Sequence, residues 1–131
     1  MVYIDMWATW CGPCKAEFEH SKSLKKFLKD QDVAMLYISM DEYKNDKQWK
    51  DMIKYYDLAG THIRTNDLLR KDLIELFWNG KGYFIPRYVI IDKEGNIIEK
   101  DALRPSDEEK LYKQIDPLAI INIAAKERAS G

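Results

Sequence analysis

Cysteine is scarce in this sequence: only two occur among 131 residues, at positions 11 and 14. A bond between Cys11 and Cys14 would close a loop too short to restrain much of the chain. A domain of this length buries roughly two-thirds of the surface that its unfolded chain exposes, so its core needs no crosslink. The cysteine count therefore excludes a scaffold held together by disulfides.

An excess of one charge and a long apolar run are both missing. The 21 Lys and Arg residues nearly balance the 22 Asp and Glu residues, which leaves a formal charge of −1. A nucleic-acid-binding domain normally has a basic excess, so we expect no nucleic-acid partner. The longest apolar runs, at residues 88–91 and 118–125, are far shorter than the roughly 20 residues of a membrane-spanning helix. We therefore expect no membrane segment in this chain.

A secretory signal peptide is missing too, because Met1 is followed directly by the apolar residues Val2, Tyr3 and Ile4 of an expected core strand. We therefore expect the chain to be a trimmed or mature part of a longer protein. Its apolar fraction of 46% and aromatic fraction of 12% are typical of a packed globular core. We predict one domain over residues 1–131, with a core over residues 1–116 and a C-terminal helix or tail over residues 117–131.

Hydrophobic patterning predicts the order β-α-β-α-(α)-β-β-α. Strands are predicted at four apolar stretches: residues 2–8, 33–40, 87–92 and 97–100. Helices are predicted at residues 15–29, from 45 or 46 to 56, from 66 or 67 to 77, and from about 106 to 115. Residues 61–64 could form a short strand or an extended link, and residues 118–128 a short helix or a loose tail.

The final predicted helix carries a start signal. Ser106 is followed three residues later by Glu109, the spacing of a capping box in which each side chain pairs with the other residue's backbone. We therefore expect Ser106 to cap this helix.

The two cysteines are placed where a thiol becomes reactive. Cys11 is predicted to open the first helix, where free N–H groups and the positive end of the helix dipole stabilise a thiolate. Cys11 is thus the candidate nucleophile, and Cys14, one turn further on, is the candidate resolving thiol. Pro13 lies in the first turn, where its missing N–H costs nothing. A half zinc site, completed by His20, His62 or carboxylates, stays open as an alternative for these residue types.

The segment DMWATWCGPC, residues 5–14, resembles the active-site segment of the thioredoxin superfamily, for which the run WCGPC is highly specific. The variant WATWC, with Glu17 three residues after Cys14, is more similar to the TlpA/ResA branch of that superfamily. The resemblance extends through residues 85–92 and the Gly95-Asn96 hairpin, is weaker over residues 44–79, and is weakest after Pro117. Members of this branch are extracytoplasmic bacterial thiol–disulfide oxidoreductases.

The resemblance also implies roles for individual residues. Asp5 matches a buried carboxylate that exchanges a proton with the resolving cysteine, and a desolvated carboxyl suits that work near neutral pH. Glu17 matches an acidic residue that tunes the dithiol. Pro86 matches a cis-proline that faces the dithiol and would present the backbone of Ile85 to an extended substrate. The residues expected to contact substrate are Trp10, Gly12, Pro13, Ile85 and Pro86.

One position departs from the family pattern. A proline that commonly kinks the first helix, five residues after the second cysteine, is replaced here by Glu19. The sequence therefore leaves open whether this helix is kinked.

The fold implied by the resemblance is an α/β, thioredoxin-like three-layer sandwich around a four-stranded mixed sheet. The strand at residues 2–8 would be central, parallel to residues 33–40 on one side and antiparallel to residues 87–92 on the other, with residues 97–100 at the edge.

The implied function is a thiol–disulfide oxidoreductase that reduces disulfides in protein substrates. An upstream reductase would return it to the reduced dithiol form, and it would need no cofactor besides the redox-active Cys11–Cys14 disulfide. We expect a monomer in the bacterial periplasm or cell envelope. Disulfide isomerase or oxidase activity remains an alternative, as does a zinc-binding or interaction module with no redox role. Thiol peroxidase activity is disfavoured, because the Pro-x-x-x-Thr-x-x-Cys signature of peroxiredoxins is missing.

Overall fold

The computed structural model describes residues 1–118 and residue 128, so the predicted helix or tail over residues 118–128 lies almost wholly outside the described residues. The centre of the fold is a five-stranded mixed sheet with the order β3-β2-β1-β4-β5. Its strands are β1 Val2–Trp7, β2 Ala34–Ser39, β3 Thr61–Arg64, β4 Arg87–Ile91 and β5 Ile97–Glu99.

The first strand lies at the centre of this sheet, as predicted. It pairs in parallel with β2 and antiparallel with β4, and β5 continues the sheet as the partner of β4. Residues 3–7 are buried, which fits a strand whose two faces are both covered by helices. β1 is therefore flanked by a strand at each edge and buried on both faces.

The sheet has one strand more than the four predicted. Thr61–Arg64 forms β3, which pairs in parallel with β2 and starts opposite Leu36. Exposed and half-buried residues alternate along β3, as expected for a short edge strand. A four-residue edge strand carries no continuous apolar run, which is why patterning left this segment open.

Helices cover both faces of the sheet and complete the three layers of the predicted α/β sandwich. Five α-helices are described: α1 Gly12–Glu17, α2 Ser21–Asp30, α3 Asp46–Tyr55, α4 Asp67–Trp78 and α5 Glu109–Ile115. Side chains of α4 pack on one face of the sheet, against a cluster that includes Ile4, Met6 and Val89. Side chains of α1, α2, α3 and α5 pack on the other face, against the aromatic residues that β1, β2 and β4 present there. None of the helices within the described residues is long and apolar enough to cross a bilayer.

The helical segment predicted at residues 15–29 is interrupted. A single turn of 3-10 helix, Phe18–His20, separates α1 from α2, which answers the question of a kink that the sequence left open. Phe18 is buried, and its ring contacts those of Trp7, Tyr37 and Tyr56. Glu19 lies within this turn, so the chain tightens here without the proline that the family commonly has.

The predicted capping box at Ser106 does not form. The hydroxyl of Ser106 donates a hydrogen bond to the Glu17 carboxylate instead, and α5 begins only at Glu109. The turn Pro105–Asp107 is capped by a different pair of residues: the N–H of Arg104 donates to the Asp107 carboxylate at 2.7 Å. A contact with a distant helix thus replaces the local cap that the spacing predicted.

Candidate active site

The turn that follows β1 brings the two cysteines together. The N–H of Cys11 donates to the carbonyl of Ala8 at 3.1 Å, and Cys11 then serves as the N-cap of α1. The N–H of Cys14 donates to Sγ of Cys11 at 3.2 Å. The two sulfurs are joined as a disulfide, with their Cα atoms 5.3 Å apart. Once the pair is reduced, the same N–H lies where it would stabilise a Cys11 thiolate.

The two cysteines are buried to a similar extent, but the exposure of the residues next to them differs. Cys11 is 4% exposed, and the exposed residues Trp10, Gly12 and Pro13 surround it on the surface. Cys14 is more deeply buried and packs in the cluster formed with Trp7 and Phe18. Cys11 is therefore the sulfur that lies next to the exposed residues, and the order of attack stays a prediction.

A loop from the other half of the chain faces Cys11. The peptide bond between Ile85 and Pro86 is cis, and the carbonyl oxygen of Ile85 lies 3.7 Å from Sγ of Cys11. The side chain of Ile85 is half-buried against the clusters on both sides of the sheet, whereas the neighbouring Phe84 is 81% exposed. The structure thus brings together the predicted substrate-contacting residues Trp10, Gly12, Pro13, Ile85 and Pro86 around one sulfur.

Asp5 lies in the middle of β1, opposite Tyr37 of β2 and Tyr88 of β4. Residues two apart in a strand share a face, so Asp5 is on the same side of the sheet as Trp7, which belongs to the same hydrophobic cluster as both cysteines. Asp5 is only 2% exposed, and its Oδ1 has no hydrogen-bond partner among the described residues. Burial raises the pKa of Asp5 well above its usual value, and the negative charge of Glu17 raises this pKa further.

Glu17 is the last residue of α1 and is 8% exposed. Its carboxylate accepts hydrogen bonds from the N–H of Ser106 at 2.9 Å and from the hydroxyl of Ser106 at 2.8 Å. The family resemblance implies a site role for Glu17 but no partner. Ser106 is 89 residues further along the chain, and its spacing from Glu109 predicted a capping role instead of this contact.

Asp41 is a site residue that the sequence analysis missed. Its buried carboxylate accepts hydrogen bonds from the N–H and the hydroxyl of Thr9, from the hydroxyl of Ser39, and from the side-chain amide of Asn45. The guanidinium of Arg70 donates to the backbone carbonyl of Asp41 at 3.2 Å. Asp41 follows β2, and parallel neighbouring strands end at one edge of a sheet. That rule could have placed Asp41 next to the loop that carries Trp10 and Cys11.

Over residues 1–118, no group of three or more His, Cys, Asp or Glu side chains is arranged to hold a metal ion. His20 lies against Glu108, with Nδ1 3.6 Å from a carboxylate oxygen, and Nε2 of His62 lies 2.7 Å from the carbonyl oxygen of Leu58. Both histidines are thus engaged with groups other than the cysteines.

A bonded cysteine pair at the N-terminus of a helix that follows the central strand, with a cis-proline segment beside it, defines the thioredoxin class of redox site. The chain belongs to the thioredoxin-like family: the family model with that description matches residues 1–97. This confirms the predicted superfamily, and the described layers confirm its fold.

Individual relatives agree with this assignment. The thiol-disulfide oxidoreductase ResA of Bacillus thuringiensis subsp. konkukian (strain 97-27) is 26% identical over 126 residues. The match takes in 88% of this chain but 64% of the relative, so the chain spans less than two-thirds of that protein's length. A ResA from Bacillus cereus (strain ATCC 10987 / NRS 248) matches over the same shares of both chains. The predicted similarity to the ResA branch is therefore confirmed.

Solved structures show the same similarity in three dimensions. A crystal structure from Bacteroides vulgatus, provisionally described as a thiol-disulfide oxidoreductase, is 34% identical with a TM-score of 0.68, over 88% of this chain and 76% of that one. The thioredoxin domain of another thiol-disulfide oxidoreductase from that organism is 22% identical with a TM-score of 0.73, over 90% of this chain and 78% of that one. The second match supports the fold alone.

Proposed function

We propose that this domain is a thiol–disulfide oxidoreductase that reduces disulfides in protein substrates through Cys11 and Cys14. The observation that carries the proposal is the bonded cysteine pair at the start of α1, with the N–H of Cys14 donating to Sγ of Cys11 at 3.2 Å. The family match and the ResA relatives support it.

The chemistry begins from the reduced dithiol. The Cys11 thiolate attacks one sulfur of the substrate disulfide, a mixed disulfide forms, and the other substrate sulfur leaves as a thiolate that takes up a proton. Cys14 then loses its proton and attacks Sγ of Cys11. The second substrate thiolate leaves, and the Cys11–Cys14 disulfide remains. Two electrons have passed to the substrate, and an upstream reductase must return two for another cycle.

Asp5 is the proposed acceptor of the Cys14 proton. Burial and the charge of Glu17 raise the pKa of Asp5, so this carboxyl is a stronger base than an exposed one when it is ionised. Its Oδ1 has no hydrogen-bond partner among residues 1–118, which leaves that atom available to a proton. We propose that Glu17 tunes the dithiol through this carboxyl.

The proposed substrate surface consists of Trp10, Gly12, Pro13, Ile85 and Pro86. Trp10 is 57% exposed and gives an apolar platform beside the nucleophile. The loop before β4 brings the Ile85 backbone next to Sγ of Cys11, where an extended substrate chain can pair with it. We propose that the substrate is an extended protein segment that carries a disulfide.

The setting of the reaction is proposed from the resemblance to the ResA branch. We place the domain outside the cytoplasm of a bacterium, in the periplasm or cell envelope, acting as a monomer with an upstream reductase. No cofactor is proposed beyond the cysteine pair itself.

The test uses cysteine variants and a disulfide-bonded model peptide. Cys14→Ser should accumulate a mixed disulfide with the peptide, visible by mass spectrometry, because the resolving thiol is gone. Cys11→Ser should neither form this adduct nor turn over, and full turnover by Cys11→Ser would contradict the mechanism. Equilibration of the wild-type pair with glutathione then decides direction, since a reductant has a lower potential than an oxidase or isomerase.

A further inference from the structure

Ser106 clamps the carboxylate of Glu17 with two hydrogen bonds. The backbone N–H donates to Oε1 at 2.9 Å, and the hydroxyl donates to Oε2 at 2.8 Å. Both carboxylate oxygens are thus held by one residue, which fixes the direction as well as the position of the group. Hydrogen bonds to a charged group are also stronger than those between neutral groups.

The held carboxylate acts on the buried acid of the site. The charge of Glu17 raises the pKa of Asp5 beyond the effect of burial, and it raises the pKa of the neighbouring Tyr88 as well. The other titratable groups around Asp5 are Tyr3 on the same strand, Tyr37 on β2 and Tyr88 on β4. All three tyrosines have pKa values raised by burial, so they are neutral at physiological pH.

The segment that carries Ser106 is itself tightly held. Asp107 accepts a hydrogen bond from the N–H of Arg104, and Glu108 lies against His20 in the turn after α1. Glu108 adopts a positive φ of 50°, a conformation that side-chain-bearing residues seldom adopt. A non-glycine residue persists in such a conformation only where surrounding contacts determine it.

We propose that Ser106 is a positioning residue for the dithiol: it holds the Glu17 carboxylate where its charge acts on Asp5, and so adjusts proton transfer from Cys14. The inference rests on the proposed function, because it assigns Ser106 a place in the resolving step. The alternative is that Ser106 merely ties α1 to the C-terminal part of the domain.

The primary experiment follows the titration of Asp5 by carboxyl ¹³C NMR in the oxidised protein, which requires no catalytic activity. Ser106→Ala removes the hydroxyl donor and lets Glu17 turn away, so the Asp5 midpoint should move to lower pH. Ser106→Thr keeps a hydroxyl and should restore the wild-type midpoint. Asp51→Asn alters an exposed carboxylate on α3 and leaves the Glu17 clamp intact, so it should not move the midpoint.

A double-mutant cycle shows whether Ser106 acts through Glu17. Glu17→Gln should lower the Asp5 midpoint by itself, and Ser106→Ala should then add nothing. The proposal is overturned if Ser106→Ala lowers the melting temperature but leaves the Asp5 midpoint in place. It is also overturned if Glu17→Gln leaves the midpoint unmoved, a result that stands even if Ser106→Ala does not fold.

Turnover separates this inference from the proposed function. In the disulfide-reduction assay at neutral pH, Ser106→Ala should lower the rate by a factor of about 2 to 10. This is the factor to which the typical free energy of one hydrogen bond converts. Absence of turnover in the wild-type protein, with an Asp5 midpoint that still follows Ser106, would reject the proposed function but keep the electrostatic link.

Discussion

The hydroxyl of Thr9 donates a 2.7 Å hydrogen bond to the carboxylate of Asp41, and the backbone N–H of Thr9 donates to the same group at 3.0 Å. Thr9 precedes Trp10 and Cys11, so this contact ties the loop of the nucleophile to the end of β2. Asp41 is fully buried and accepts further hydrogen bonds from Ser39 and Asn45. The loop is therefore held in place by the buried Asp41 carboxylate, and removing one of its hydrogen-bond donors should be costly.

Thr9→Val tests this anchor. It removes one donor from a buried carboxylate, and we expect a loss of about 1–3 kcal/mol in the free energy of unfolding. Thr65→Val is the matched control, because Thr65 is also buried but its hydroxyl has no partner among the described residues. That variant should be neutral or more stable. Urea unfolding at constant slope measures both changes, and equal losses would show that Thr9–Asp41 is not an anchor.

Tyr3 and Tyr88 provide a second matched pair. Their rings stack at 5.6 Å, but only the Tyr3 hydroxyl has a partner, the carbonyl of Leu103 at 2.8 Å. The Tyr88 hydroxyl is buried with no partner among the described residues. We expect Tyr3→Phe to cost about 1 kcal/mol and Tyr88→Phe to be neutral or stabilising. Thermal unfolding of the two variants checks this, and a larger loss in Tyr88→Phe would mean that its hydroxyl is bonded after all.

The centre of the fold and the cysteine site were predictable because their signals are local. The apolar run of β1, the turn and Cys11 lie within a dozen residues, and β2 and β4 repeat the same buried pattern. The fifth strand was not predictable in this way, because Thr61–Arg64 is short and half-exposed at the sheet edge.

The partners of the site residues were harder to predict, because they depend on contacts between distant parts of the chain. The bond from Ser106 to Glu17 joins residues 89 positions apart, and a local capping pattern suggested another use for Ser106. Asp41 and Thr9 are 32 positions apart, but both follow parallel strands. Because parallel neighbouring strands end at one edge of a sheet, the contact between Asp41 and Thr9 could have been predicted. No such rule predicts the contact between Ser106 and Glu17.

Trp10→Ala tests the substrate platform. Trp10 is largely exposed, so its loss should change the free energy of unfolding by no more than about 0.5 kcal/mol. We expect KM for a disulfide-bonded peptide to rise about three- to tenfold, the scale of one aromatic contact, with a smaller change in kcat.

The control for Trp10→Ala is Tyr55→Ala, another exposed aromatic residue. Tyr55 is the last residue of α3, which connects β2 to β3, and it lies outside the proposed substrate surface of Trp10, Gly12, Pro13, Ile85 and Pro86. The two KM values should therefore diverge, and an equal rise in both would remove Trp10 from the substrate surface.

Asp5 should affect activity and stability in opposite directions. As the proposed proton acceptor it contributes to turnover, and general acid–base groups typically contribute about 100-fold or more. As a buried acid with a raised pKa it opposes folding once it ionises. Between the pKa of the unfolded chain, about 3.9, and the higher pKa of the folded protein, the folded state holds a proton that the unfolded state has released. The free energy of unfolding therefore falls as pH rises through this window.

Asp5→Asn removes this ionisation, so its stability relative to wild type should increase from about pH 4 upward and level off above the folded pKa. Turnover of the same variant should fall about 100-fold at neutral pH. Urea unfolding from pH 3 to 9 measures the first effect and peptide reduction the second. Asp51→Asn, which alters an exposed carboxylate on α3, should show neither trend. A stability difference that does not change with pH would mean that the Asp5 carboxyl titrates alike in the folded and unfolded states, contrary to its burial in β1.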